Sequence, residues 1–257
     1  MNKLNLKKIS EDLIETFLEA GKVAQEISLR GVKITIKSDG SPVTDGDIEV
    51  DKIINKKIKS LTPDIPIISE EKINLSKINK NFWLIDPIDG TRDYINKRDE
   101  YTLNAALIID LKPAIGLVYA PKKNRLFFSF GNNFAFEINN GIKKNLSCRK
   151  NEKNEVIALV NSDKFISDEI LVIHNKFKVT KTIKMSSSLK FCVLAAGEAD
   201  IYAAKARAYE WDIAAGHAIL EHAGGSISTH EGKKFLYGKK DFKNLPIIAK
   251  RSSNLIE

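Results

Sequence analysis

A chain of 257 residues, 43% of them hydrophobic, can bury a full core as one large domain or two small ones closely joined, and none of its apolar stretches approaches a membrane span. The net charge of +8 comes from lysines scattered along a lysine-, asparagine- and isoleucine-rich chain, which reads first as composition and second as attraction for an anionic substrate. No arginine-rich tract or aromatic-interleaved basic patch indicates a nucleic-acid polymer as partner. Cys148 and Cys192 lie far apart without CxxC or Cys/His spacing, and Met1 to Ser10 lacks the apolar core of a signal peptide. Free thiols and a cytoplasmic location are therefore expected, with peripheral membrane contact and oligomeric state left open.

In chain order, Leu13, Ile14, Phe17, Leu18, Val23, Ala24 and Ile27 have near-helical spacing, predicting one helix over Ser10 to Leu29 that stops at Gly31. Val32 to Lys37 alternates like a strand, and Asp39-Gly40-Ser41-Pro42 predicts a turn. Thr44 followed by Asp47 resembles a capping box with Asp in the Glu role, opening a helix buried along Ile53, Ile54 and Ile58. Short apolar runs then alternate with turn residues: Ile67-Ile68, Phe82 to Ile85, Leu103 to Ile109, Ala114 to Tyr119, Leu126 to Phe130 and Phe134 to Ile138. They predict an antiparallel meander. From about Glu155 the rhythm changes: strand over Val156 to Val160, helix over Asp168 to His174, and strand over Phe177 to Ile183. A helix over Ser188 to Ala196, a strand over Ile201 to Ala203 and a strong helix over Trp211 to His222 follow, ended by Gly224-Gly225. That is an α/β rhythm, with a soft boundary near 147–155.

Residues 83 to 91, Trp-Leu-Ile-Asp-Pro-Ile-Asp-Gly-Thr, carry the strongest chemical signal. Pro87 fixes one φ angle and lacks a donor, so the chain turns there and can aim Asp86, Asp89 and the Ile88 carbonyl at one point. Gly90 permits close approach of a ligand to the backbone, and Thr91 can open a short helix whose free N–H groups face an anion. Oxygen-only ligands on a tight loop suit Mg²⁺, with a phosphate completing the shell. Glu70 after one strand, Asp47 in a first helical turn and Asp212 at another helix start each have an ordinary reading as caps or turn residues. Together with Asp86 and Asp89, acids at the ends of successive elements point to metal-assisted phosphate chemistry.

Ile68-Ser69-Glu70-Glu71, Asp86-Pro87-Ile88-Asp89-Gly90-Thr91 and Trp211-Asp212-Ile213-Ala214-Ala215-Gly216 resemble the three signatures of the inositol monophosphatase superfamily of lithium-sensitive, Mg²⁺-dependent phosphomonoesterases. Lys37, Asp39 and Ser41-Pro42-Val43-Thr44, with Asp47 beyond, resemble its N-terminal loop and helix, and the likeness runs from about residue 10 to 250. Ser187-Ser188-Leu189-Lys190-Phe191-Cys192, Ala196 to Tyr202 and Asp93-Tyr94-Ile95 resemble its bacterial 3′(2′),5′-bisphosphate nucleotidases, which convert adenosine 3′,5′-bisphosphate to AMP and recycle a by-product of sulfate activation and sulfotransfer. The resemblance implies a layered αβαβα sandwich, α/β (α+β) in class. Residues 1–150 would form an N-terminal α+β half with an antiparallel sheet and most metal ligands. Residues 151–257 would form a C-terminal α/β half with Asp212 and the nucleotide-contacting segment.

Resemblance also implies the roles. Glu70, Asp86 and the Ile88 carbonyl would hold one Mg²⁺, Asp86, Asp89 and Asp212 a second, and Glu70 a third, mostly hydrated ion, with Li⁺ inhibitory. Asp47 and Thr91, with Glu70, would serve catalysis, Thr91 relaying a proton from the attacking water to Asp47. Gly90 and Thr91 N–H groups would hold phosphate oxygens, so the substrate set spans Glu70, Ile88, Asp89, Gly90, Thr91 and Asp212. Ser187 and Lys190 would meet the nucleotide's second phosphate or ribose, and Arg207 is a candidate anion clamp because a guanidinium pairs phosphate well. Family members often carry Gly at the position of Ser186 and Pro-Arg at Ala203-Ala204, which leaves Lys205 or Arg207 to supply the missing charge. Two alternatives stay open: an inositol- or sugar-phosphate phosphatase of the same superfamily, and a non-catalytic nucleotide or Mg²⁺ sensor on its fold. His217 and Glu221, four apart, could be metal ligands but read better as structural, and Phe127 to Phe136 read as sheet packing.

Overall fold

The computed structural model describes residues 5–72, 80–148, 155–162 and 165–252. The expected division at 150/151, and most of the 147–155 boundary, lies outside them. The N-terminal helix is two helices, α1 (Leu6–Asp12) and α2 (Ile14–Arg30), a correction to the single expected helix. The break is at Leu13, fully buried, whose amide turns back to the Ser10 carbonyl at 3.3 Å. Asn5 caps the start by accepting from the Lys8 amide at 3.0 Å, a signal upstream of the apolar spacing. β1 (Ile34–Ile36) and β2 (Pro42–Thr44) form a hairpin closed by the Asp39 carboxylate, which accepts from the Ser41 amide at 2.9 Å and hydroxyl at 2.6 Å.

Helix α3 (Asp45–Leu61) begins at the expected capping box. Its buried stripe is Val50, Ile54 and Ile58, an i, i+4 row; Ile53 is only partly covered. Gly46 sits where a Cβ would come within 2.5 Å of the Tyr94 hydroxyl, so glycine lets the start of α3 close onto the chain beyond Thr91.

Seven strands follow in spatial order: β3 (Ile67–Ser69), β4 (Phe82–Asp89), β5 (Thr102–Ile109), β6 (Lys112–Ala120), β7 (Arg125–Ser129), β8 (Ala135–Asn139) and β9 (Ile142–Asn145). The meander is antiparallel from β4 onward, but β3 pairs parallel to β4, and β9 has no counterpart among the expected strands. Alternate side chains of β4 face opposite cores. Trp83 and Ile85 pack with Phe17, Ile54 and Ile58 of α2 and α3, whereas Phe82 and Leu84 pack toward the C-terminal half. Burial of both faces explains why β4 reads as a continuous apolar run rather than an alternating one.

A second sheet has the order β11-β10-β12-β14-β13, from β10 (Ile157–Val160), β11 (Lys181–Lys184), β12 (Ile201–Ala204), β13 (Ser226–Thr229) and β14 (Ile247–Lys250). β10 runs parallel to β11 and β12, and β14 antiparallel to β12 and β13. α5 (Asp168–Lys176) covers its outer face, where Ile170, Ile173 and Phe177 pack on Ala158, Ile201 and Ala203. Phe177, expected to open a strand, instead ends this helix. α6 (Leu189–Ala195) and α7 (Glu210–His222) fill the space between the sheets, in one core with Leu84, Ala106, Tyr202 and Ile247. The layers are helices, sheet, helices, sheet, helix: the αβαβα sandwich expected from the resemblance. No helix among the described residues is long and apolar enough to cross a membrane.

Candidate active site

The site begins with a fault in a strand. β4 pairs regularly with β5 up to Asp86 opposite Asn104, and pairing resumes at Asp89 opposite Thr102. Two residues, Pro87 and Ile88, thus oppose one, Leu103, which makes a bulge where proline has no N–H to give. In an unbroken strand, positions three apart face opposite sides of the sheet. The extra residue resets that alternation, so Asp86 and Asp89 act on one another and both act on Glu70. Gly90, at φ 91° and ψ 41°, then turns the chain into the short helix α4 (Thr91–Ile95).

Glu70 is carried to the same place because its amide donates to the Ile85 carbonyl at 3.0 Å, extending the parallel pairing of β3 and β4 by one residue. Asp212 is the third residue of α7, with one oxygen accepting from the Tyr209 amide at 2.8 Å. One carboxylate oxygen from each of Glu70, Asp86 and Asp212 lies within 4.8 Å of the others. Asp86 is 1% exposed, and its Oδ1 is buried with no hydrogen-bond partner. Burial, followed by the charges of Glu70, Asp89 and Asp212, pushes the Asp86 carboxyl well above its ordinary range. Burial and the Asp89 and Glu70 charges do the same to Asp212. Burial also raises Asp89, against the opposing pull of Lys190 and the Ser188 hydrogen bond. An all-oxygen cluster, an orphaned buried oxygen and crowded carboxylates fit a hard divalent cation.

The Ile88 carbonyl accepts from the Thr91 hydroxyl at 3.1 Å. Thr91 has a second acceptor, Asp47 Oδ1, at 3.4 Å. The other oxygen of Asp47 accepts from the Thr44 amide at 2.7 Å and hydroxyl at 2.6 Å. Burial lifts the Asp47 carboxyl to about 7, the Thr44 bonds oppose the rise, and Glu71 and Glu70 add to it. Lys37, quoted in the sequence only as part of a loop, bridges Glu70 at 2.9 Å and Glu71 at 2.7 Å.

The 187–190 segment borders the cluster. Ser187 has φ 56°, in the left-handed region, and its hydroxyl accepts from the Leu189 amide at 3.4 Å. Lys190 is 5% exposed and forms no ion pair among the described residues; its Nζ donates to the Met185 carbonyl at 3.4 Å and lies 5.1 Å from the Tyr202 ring centroid. Burial pulls this ammonium down to about 8, against the Asp89 charge. Arg207 is exposed, acts electrostatically on Lys190 and Tyr202, and lines a cleft of about 290 Å³ with Asn161, Phe165, Ile170, Ala203 and Ala204. Lys205, the other candidate for the missing charge, is paired to Glu169 at 3.5 Å. Ser188 and Asn104 were not singled out by sequence. Ser188 donates its amide to Asp89 Oδ2 at 2.6 Å and its hydroxyl to the Asp212 carbonyl, while Asn104 Nδ2 donates to the Ser188 hydroxyl at 3.1 Å. His217 is structural: it is buried, bonded to the Tyr237 hydroxyl at 2.8 Å and pushed down to about 3 by burial.

This architecture and acid cluster define a class. The sequence model of the inositol monophosphatase family matches residues 5–254, and the chain belongs to that family. Among its relatives, the 3′(2′),5′-bisphosphate nucleotidase CysQ of Buchnera aphidicola subsp. Acyrthosiphon pisum is 35% identical over 90% of this chain and 88% of that protein. The protein of the same name from Escherichia coli strain K12 is 33% identical over 81% of this chain and 84% of its own length. The crystal structure of CysQ from Bacteroides thetaiotaomicron, described as a bacterial member of the inositol monophosphatase family, superposes with a TM-score of 0.78 at 26% identity, covering 96% of this chain and 98% of that one.

Proposed function

We propose that this protein is a Mg²⁺-dependent phosphomonoesterase that removes the 3′-phosphate of adenosine 3′,5′-bisphosphate, leaving AMP and inorganic phosphate. The observation that carries the reading is Lys190: a buried ammonium with no ion pair among the described residues, beside a carboxylate cluster suited to cations. A cluster of that kind serves one phosphate. An anion beside Lys190 would give it the ion pair it lacks, and a substrate with two phosphates supplies both. Arg207, which acts electrostatically on Lys190, and the cleft it lines suit the remainder of a nucleotide. The nucleotidase names of the relatives from Buchnera and Escherichia coli support the same substrate.

In this reading Glu70, Asp86 and the Ile88 carbonyl would hold one ion and Asp86, Asp89 and Asp212 a second, with Glu70 also available to a third. Bound there, Mg²⁺ supplies positive charge at the phosphoryl oxygens and the departing ribose oxygen. Gly90 and Thr91 amides hold the phosphoryl group. The Thr91 hydroxyl orients the attacking water, takes its proton and passes its own to Asp47 Oδ1. The new bond joins the water oxygen to phosphorus, the bond from phosphorus to the 3′-oxygen breaks, that oxygen takes a proton from solvent as AMP leaves, and Asp47 returns its proton to solvent. Ser187, Lys190 and Arg207 hold the 5′-phosphate and ribose, so substrate identity is read away from the reacting phosphorus.

The test is phosphate release from adenosine 3′,5′-bisphosphate beside inositol 1-phosphate and fructose 1,6-bisphosphate, with and without Li⁺. The nucleotide is expected to turn over fastest and Li⁺ to inhibit. Faster turnover of either sugar phosphate would overturn the substrate, and no turnover of any of the three would leave a sensor.

A further inference from the structure

We infer that Ser188 is a positioning residue that couples the second-phosphate site to the cation site, so that filling one tightens the other. The inference rests on the nucleotide reading above. Asp89 and Asp212 belong to different layers, one at the end of β4 and the other in the first turn of α7. Ser188 touches both. Its amide donates to Asp89 Oδ2 at 2.6 Å, and its hydroxyl donates to the backbone carbonyl of Asp212. That hydroxyl also accepts from Asn104 Nδ2 at 3.1 Å, and Asn104 stands opposite Asp86 in the sheet, 3.5 Å from Asp89 Oδ2. Ser188 is 1% exposed and Asn104 is fully buried, so water does not compete for these bonds.

Ser188 lies in the segment 186–190, which also holds the Ser187 and Lys190 assigned above to the second phosphate. Ser186 is tied to the Glu100 carboxylate at 2.8 Å through its amide, Ser187 holds a left-handed backbone, and Lys190 follows one turn later. An anion drawn to Ser187 and Lys190 fixes the position of the peptide between them. Ser188 is that peptide, and its two bonds set where the Asp89 carboxylate and the start of α7 sit. Holding the Asp89 carboxylate and the start of α7 in place before a cation arrives removes part of the ordering cost of binding it. The effect is reciprocal: a bound cation orders the segment that receives the anion.

AMP separates this contact from the chemistry, because it carries the 5′-phosphate meant for Lys190 and lacks the 3′-phosphate that would touch the cations. Ca²⁺ binding is measured by titration calorimetry with and without saturating AMP, and AMP binding is measured in EDTA. In the wild-type protein AMP is expected to tighten Ca²⁺ by about fivefold or more, within the usual range of coupling between sites. Ser188→Ala keeps the amide and loses the hydroxyl. Each ligand should still bind it alone, with the coupling reduced to about twofold or less. Asn104→Ala, which removes the donor anchoring that hydroxyl, should lower the coupling in the same direction and serves if Ser188→Ala does not fold. Coupling as strong in the variants as in wild type would show that charge acts through space, and would overturn the inference. So would a wild-type protein that binds both ligands independently, with the nucleotide reading left standing. Failure of AMP to bind while Ca²⁺ binds, or AMP binding in EDTA that Lys190→Gln does not weaken, would remove the nucleotide reading and this inference with it.

Discussion

The first turns of α3 and α7 use one device for two ends. Each helix has Asp as its third residue, and each Asp spends one oxygen on the amide three residues earlier: Asp47 on Thr44 at 2.7 Å, Asp212 on Tyr209 at 2.8 Å. Each is thereby locked to one rotamer with its second oxygen facing the site. The surroundings then divide them. Asp47 is raised mainly by burial, with smaller contributions from Glu71 and Glu70, and has the Thr91 hydroxyl ahead of it, an arrangement suited to accepting a proton. Asp212 shares its space with Asp86 and Glu70, and three like charges within 4.8 Å favour a cation over a proton shuttle. A cap supplies aim; neighbouring charge decides chemistry.

If that division holds, neutralising each Asp should fail differently. Asp212→Asn is expected to lower kcat by on the order of 10³-fold, as for loss of a preorganised electrostatic group, and to remove one divalent ion from the binding isotherm. It should also raise the melting temperature of the metal-free protein, because a buried like charge is gone. Asp47→Asn is expected to cost about 10²- to 10⁴-fold in kcat, the usual range for a general base, with cation affinity nearly unchanged. Equal loss of cation binding in both variants would erase the distinction.

The two variants should also separate by pH. The folded Asp47 titrates at about 7, above its ordinary 3.8, so between those values the folded protein holds a proton that the unfolded chain releases. This group therefore destabilises the fold progressively as pH rises through that window, and below it the effect vanishes. Activity runs the other way, since protonated Asp47 accepts nothing. The rate should climb to a plateau near or below pH 7, because a cation at Glu70 offsets part of the rise. Asp47→Asn should flatten that limb and the matching slope in metal-free melting temperature.

The Thr44 to Asp47 box and the Asp-Pro-Ile-Asp-Gly-Thr run were legible in the sequence because every partner lies within a few residues. What stayed hidden was long-range. Proline in an apolar run announces a turn, but that the turn is a bulge placing Asp86 and Asp89 together needs β5 alongside. Three consecutive serines at 186–188 give no reason to prefer the one that bonds Asp89, 99 positions away. β13 and β14 are four residues each and carry little pattern of their own, and the break at Leu13 falls inside an unbroken helical period. A buried lysine looks like any lysine in a chain with so many, and only the packing of α6 shows that Lys190 faces inward.

Lys190 tests whether substrate identity is separable from the acid cluster. Lys190→Gln is expected to raise KM for adenosine 3′,5′-bisphosphate by about 10- to 100-fold, the range for a charged hydrogen bond, with kcat changed little. Turnover of a monophosphate such as inositol 1-phosphate, however slow, should be unaffected. A fall in kcat for both substrates would mean that Lys190 serves Asp89 rather than the ligand.

The smallest effects probe the caps themselves. Thr44 closes its box from both sides, its hydroxyl accepting from the Gly46 amide at 3.1 Å and donating to Asp47 at 2.6 Å. Tyr209 donates its amide to Asp212 and its carbonyl accepts the Asp212 amide at 3.2 Å, while its ring stacks on Trp211 at 4.8 Å with planes 9° apart. Thr44→Ala should thus cost about 1 kcal/mol of stability and loosen Asp47, lowering kcat without touching cation affinity. Tyr209→Phe keeps the amide and the stacked ring, and should stay within about 0.5 kcal/mol of wild type. Urea melts of the two variants beside wild type check this directly. A larger loss in Tyr209→Phe than in Thr44→Ala would mean that the aim of Asp212 depends on the tyrosine hydroxyl, and that the two helix starts are not the same device.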